Sequence, residues 1–299
     1  MSATLTMTLV LVVSGQTPYV RSRVGNNPDS HCLWWPAGTL TLYQSATGIQ
    51  ETPGDAEFLA LQRSLSTWRQ ALAERGNLQL VDGGRTDGHE IGFNRADPAS
   101  NRNMLVFRTR DCSSIAPSDD VCWSESGCGN KYNCWDDAGS GQFTLALTTT
   151  TYDVNSGRLY DADIEINDAN FYFTTADGPV CGEPESQLCA VTDVESTVTH
   201  EVGHLLGLDH SPDTGSTMFA SAERGETSKR LLDPGTQQFI LDVYPAGRAA
   251  QRCALPPPGP EPEPVVPEPG GGCDATAGSP LLAAGAVLAL GARRRRRRG

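Results

Sequence analysis

Residues 200–210 read HEVGHLLGLDH, and the chain is best understood as the holder of that segment. On a helix, His200 and His204 are one turn apart, about 6 Å along the axis, on the same face. Both imidazoles then reach one ion at the ~2.0–2.1 Å that zinc prefers. Glu201 sits beside the first histidine, where a carboxylate takes a proton from a metal-bound water. Gly207 stops the helix, since glycine reverses the chain there without strain. The turn it permits returns His210 as a third ligand. Three nitrogens leave the fourth position of a tetrahedral ion open, the mark of a catalytic rather than a structural zinc site. The plainer reading is an amphipathic helix with ordinary histidines, but a chance match to H-E-x-x-H-x-x-G-x-x-H in such a chain is of order 10⁻⁵.

That extended string resembles the metzincin signature. Residues 200–220 run HEVGHLLGLDHSPDTGSTMFA. The serine after the third histidine and the methionine eight residues beyond it are similar to the matrixin branch. The resemblance implies an α+β metzincin-like catalytic domain. Its parts would be a twisted mixed sheet with two long helices, the active-site helix, a Met-turn and a C-terminal helix. Met218 would lie in the Met-turn as an apolar floor, where an isolated methionine would read simply as core. Phe219-Ala220 departs from the Tyr-Pro that matrixins usually carry there. The resemblance spans roughly residues 19–250, with only 200–219 motif-specific.

The 299 residues carry a net charge of −13; without the six arginines of 293–298 the remainder stands at −19, six charges lower. So acidic a body argues against nucleic-acid binding and for a self-repelling secreted protein. Eight of nine cysteines lie in the body, an even number that fits four disulfides in an oxidising compartment. Pairing does not follow from sequence, although Cys181 with Cys189 is the most local choice. A second zinc site from the cysteines of 112–134 lacks a C-x-x-C spacing.

Residues 1–15 hold a short apolar run followed by small residues, which reads as a signal peptide, although no Lys or Arg precedes it. An N-terminal strand is the competing reading. Residues 38–43 (GTLTLY) alternate like a strand. Residues 55–75 read as a helix with Phe58, Leu61, Leu65, Trp68 and Leu72 on one stripe. Strands are expected at 78–81, 90–93 and 104–107. Residues 110–141 form a cysteine-rich loop whose Asp119, Asp120, Asp136 and Asp137 offer oxygens of the kind calcium takes; solvated loop acids are the plainer reading. Residues 143–151 and 158–166 read as two strands around an Asn-Ser-Gly turn. By resemblance the first is the edge strand above the cleft, to which an extended peptide adds. The acids of 161–165 are structural or metal-binding. Thr192 with Glu195 fits a capping box, with Asp193 as the alternative cap. Asp233-Pro234 starts a further helix.

The expected organisation is a signal peptide at 1–15, the catalytic domain at 16–254, a Pro/Glu-rich linker at 255–272 and a C-terminal segment at 273–299. In that last segment Cys273, an apolar stretch and six arginines resemble the sorting signal of myxobacterial surface proteins. At thirteen residues the stretch is about 20 Å as a helix, short of a ~30 Å hydrocarbon layer. The expectation is transient membrane insertion, processing near Cys273, and a monomer that is secreted or attached to the cell surface. These readings converge on a zinc endopeptidase acting on extracellular proteins and peptides. His200, His204 and His210 would hold Zn²⁺, and Glu201 would assist attack of the zinc-bound water. The competing class is a surface-displayed binding or adhesion protein with a non-catalytic zinc site. Cys32 is a conceivable zinc blocker, though the even count favours a disulfide.

Overall fold

The computed structural model describes residues 19–125, 127–136, 143–250, 253 and 287–289. The expected signal peptide, the linker, nearly all of the C-terminal segment, and Asp137 lie outside the described residues.

The framework is mixed α+β. A short strand β1 (Val20–Arg21) precedes β2 (Gly38–Ser45), helix α1 (Ala56–Arg75) and β3 (Leu78–Thr86). β2 and β3 are parallel, so α1 is the crossover helix that such a pair requires. The stripe Phe58, Leu61, Leu65, Trp68 and Leu72 is buried, as its spacing demands. β4 (Asn103–Phe107), β5 (Thr144–Tyr152) and β6 (Leu159–Ile166) complete the sheet in the order β3-β2-β4-β6-β5. β4 runs parallel to both β2 and β6, whereas β5 is antiparallel to β6. The sheet is therefore mixed, with β5 at the antiparallel side. A three-residue strand of the C-terminal segment, Val287–Ala289, lies antiparallel along the outer side of β5.

Residues 90–93 do not form the expected strand. Both backbone polar groups of Ile91 bond the Asn130 side chain, at 2.9 Å and 2.8 Å, and the Gly92 amide donates to Asp163 at 2.6 Å. Side chains thus take the positions that a neighbouring strand would have filled.

Among its described residues the cysteine-rich loop contains three short helices, α2 (Cys112–Ile115), α3 (Cys122–Glu125) and α4 (Cys128–Tyr132). Disulfides Cys112–Cys134 and Cys122–Cys128 form their own small core. Two further disulfides, Cys32–Cys253 and the expected Cys181–Cys189, account for all eight body cysteines. Cys32 is thereby committed to a disulfide. Asp120 is engaged by Lys131 and Tyr132. Of the 161–165 acids, Asp163 accepts the Met104 amide at 2.7 Å and Glu165 pairs with Arg108.

Arg108 fastens the loop to the sheet. Its guanidinium is fully buried, 2.7 Å from Glu165 Oε1 on β6 and 2.8 Å from Asn133 Oδ1 in the loop. Arg108→Met is expected to cost about 3–5 kcal/mol in chemical denaturation, because Glu165 would be left inside without its counter-charge. A loss below about 1 kcal/mol would show that the loop is fastened elsewhere.

Candidate metal centre

Helix α5 (Val194–Leu205) follows two-residue strands β7 (Phe173–Thr174) and β8 (Thr192–Asp193), which pair in parallel. Its cap is Asp193 rather than Thr192: Asp193 Oδ1 accepts the Ser196 amide at 2.7 Å, while Thr192 lies in β8. Glu195 does not reach back to close a capping box, because Arg63 holds its carboxylate at 2.6 Å. Every residue of α5 is buried. α1 supports it from behind: Trp68 Nε1 donates to Thr199 O at 2.9 Å, and the hydroxyls of Ser64 and Thr199 meet at 2.8 Å.

The helix stops at Gly207, whose φ of +101° is outside the range of L side chains. The chain then returns as strand β9 (Leu208–Asp209), paired with β1, and His210 follows. This turn brings the three histidines together. His204 Nε2 lies 3.0 Å from His200 Nε2 and 3.3 Å from His210 Nε2. Three nitrogens around a tetrahedral ion at ~2.0–2.1 Å stand about 3.3–3.4 Å apart, so the spacing fits zinc. The other ring nitrogens are engaged: His200 Nδ1 with Thr217 O at 2.7 Å, and His204 Nδ1 with Leu208 O at 2.9 Å. Those carbonyls make each Nδ1 the donor and leave the Nε2 lone pairs facing one another. Such a cluster is stabilised by a cation. Among the described residues this is the only such cluster of three or more His, Cys, Asp or Glu side chains.

Burial pushes all three imidazoles towards the neutral form that binds metal. His200 lies well below the usual histidine value, His204 falls to about 3, and His210 is lowered too; desolvation is the first cause in each case. Glu201, also fully buried, is raised to about 8 by desolvation. Its Oε2 accepts the Thr148 hydroxyl at 2.6 Å, and its Oε1 has no protein partner although it is buried. An unpartnered buried carboxylate oxygen beside a nitrogen cluster fits a site that takes a further polar guest.

Met218 is 1 % exposed beneath the helix, and a Cβ on Gly203 would stand 2.3 Å from its sulfur. The turn carrying it is braced by Asp233, whose Oδ2 accepts the Thr217 amide at 2.9 Å and the Ser216 hydroxyl at 3.1 Å. Asp233 also caps helix α6 (Pro234–Val243) through the Gly235 and Thr236 amides. One carboxylate thus sets both the last helix and the carbonyl that orients His200. Sequence reasoning passed over Thr148, Thr217 and Lys229. Lys229 is 3 % exposed and lines a cavity of about 270 Å³ that opens beside His200 between Leu145, Phe171 and Val191.

Residues 131–244 match the matrixin family model. The matched part includes β5, α5, all three histidines, Glu201, Met218 and α6. A matrixin-like domain, and with it a zinc metallopeptidase in general, is supported on that ground. No curated protein sequence matches the chain.

Gly207→Ala is expected to destabilise the fold by more than about 1 kcal/mol. Its φ is forbidden to alanine, and the added carbon would meet Leu33 O at 2.8 Å. Zinc content per chain should fall with it, as His210 is displaced; unchanged zinc and Tm would contradict the role given to the turn. A second expectation concerns pH. In chelator-treated protein, the unfolded chain takes up protons at the histidines below the ordinary value of 6.5, whereas folded His204 waits until about 3. Stability from these groups therefore falls as pH drops below 6.5. Glu201 works oppositely, keeping between 4.5 and about 8 a proton that the unfolded chain has lost. Three histidines outweigh one carboxyl, so Tm should fall between pH 6.5 and 4.5, and His204→Gln should flatten that slope. An unaltered slope in this variant would refute the assignment.

Proposed function

We propose that the chain is a zinc-dependent endopeptidase in which His200, His204 and His210 hold the ion and Glu201 is the general base. One observation carries the reading. Three Nε2 atoms converge at zinc spacing, and the carboxylate next to the first of them keeps one buried oxygen free. A bound zinc ion supplies a Lewis acid that activates water and polarises the scissile carbonyl.

The remaining work falls to the protein. Thr217 O and Leu208 O hold the His200 and His204 rings in the tautomer that presents Nε2. Glu201 accepts the proton of the attacking water through its free oxygen and returns it to the leaving amine. Gly203 and Met218 meet under α5 and leave the helix one seat, so Met218 acts as the apolar floor of a Met-turn.

The scissile peptide would lie extended beside β5, adding as an antiparallel strand on the side that Val287–Ala289 takes. The cavity next to His200 is below the size of a whole ligand site and suits one substrate side chain. Export is supported by the four disulfides, which persist in oxidising compartments. In the same reading, 1–15 is the signal peptide and 16–254 the catalytic domain. Residues 255–272 are the linker, and 273–299 carry the protein to the surface as a monomer acting on extracellular proteins. A displayed binding protein with an inert metal site would have no use for a buried free carboxylate oxygen at this place.

Glu201→Ala is expected to keep one zinc per chain while casein hydrolysis falls by about 10²–10⁴. Casein cleavage retained with stoichiometric zinc would remove Glu201 from the mechanism.

A further inference from the structure

Thr148 is the first of four threonines, 148–151, that precede Tyr152, the last residue of β5. Alternation along a strand sends its side chain to the same face as Ala146, and both are fully buried. Its neighbours Thr149, Thr150 and Thr151 are less buried. Ladder pairing with Ile164 on β6 fixes its backbone, and a β-branched side chain has few rotamers. The hydroxyl lies 2.6 Å from Glu201 Oε2 and 3.3 Å from the Glu201 backbone oxygen. A hydroxyl has one proton to give, and the shorter contact to the carboxylate takes it.

The last torsion of a glutamate is a broad, nearly two-fold rotor, so helix geometry alone does not orient its oxygens. In Glu201 one oxygen is held by Thr148 and the other is buried without a protein partner. We propose that Thr148 is a positioning residue of the reaction: its hydroxyl pins Glu201 Oε2, so that Oε1 is the oxygen offered to the attacking water. The strand thereby serves two ends. Its outer edge takes the peptide, and its inner face aims the base at it. This inference rests on the reading of Glu201 as the base. A packing role alone would need only the shape of the side chain, which valine reproduces.

The test uses the full chain loaded with zinc and a quenched fluorescent peptide. Thr148→Ser and Thr148→Ala differ only in the hydroxyl, so their comparison isolates it even if the missing methyl costs stability. Thr148→Val supplies the full-volume control. The expected result is a kcat lower by about 10- to 100-fold in Thr148→Ala and Thr148→Val, with KM within about twofold and zinc unchanged. Thr148→Ser should stay within about threefold of the parent. Added to Glu201→Gln, Thr148→Val should cost nothing further, because the group it acts through is gone. Equal kcat in Thr148→Ser and Thr148→Ala would overturn the proposal, as would an equal loss from Thr148→Val in both backgrounds. If Glu201→Gln itself retains full kcat, the reading of the base falls; if only the Thr148 series is flat, positioning alone falls.

Discussion

The carbonyls of Leu205 and Leu206, which close the histidine-bearing helix, and those of Gly207 and Leu208 in the turn beyond it each find a donor in this fold. Trp35 Nε1 reaches Leu205 O at 2.7 Å, the Tyr244 hydroxyl reaches Leu206 O at 2.7 Å, and the Ser22 amide reaches Gly207 O at 3.0 Å. The Ser22 hydroxyl and His204 Nδ1 share Leu208 O, at 2.7 Å and 2.9 Å. Donors from the residue after β1, from the segment before β2 and from the residue after α6 thus close on one turn. The position of His210 depends on this convergence, since a helix terminus without its partners frays. The sheet and α1 hold α5 from behind; Ser22, Trp35 and Tyr244 hold its end from the front.

The electrostatics of the centre follow from its depth. The imidazoles and Glu201 are desolvated together, which favours the uncharged form of each. Lys229 is the nearby buried cation, its own pKa lowered by desolvation, and its field opposes the rise at Glu201. A site assembled on the surface would have had ordinary acids and bases and needed other means of tuning.

The clustering of the three histidines was legible because their spacing is local: two residues a helical turn apart and a third after a glycine need only the geometry of one helix and one turn. The α1 stripe and the strands at β2, β4, β5 and β6 were readable for the same reason, each being a periodicity within one segment. What escaped the sequence was non-local. Residues 90–93 alternate like a strand, yet Asn130 and Asp163 occupy their backbone. Thr148 looks like any strand threonine until β5 is laid beside α5. Thr192 and Asp193 were both plausible caps, and Arg230, at 2.6 Å from Asp193 and 37 residues away, belongs to the arrangement that the sequence does not display. The cysteine pairs were open for the same reason, except for Cys181–Cys189.

The bond between Cys32 and Cys253 joins residues 221 apart, so nearly the whole described body lies inside one covalent ring. A secreted enzyme of the proposed kind lives among proteases, its own copies included. A nick in any surface loop within that ring opens the circle into a line without producing two molecules. Fragments stay tethered, their reassembly is intramolecular, and only reduction together with cleavage sets them apart. Wear by limited proteolysis is thereby converted from loss of material into a repairable break.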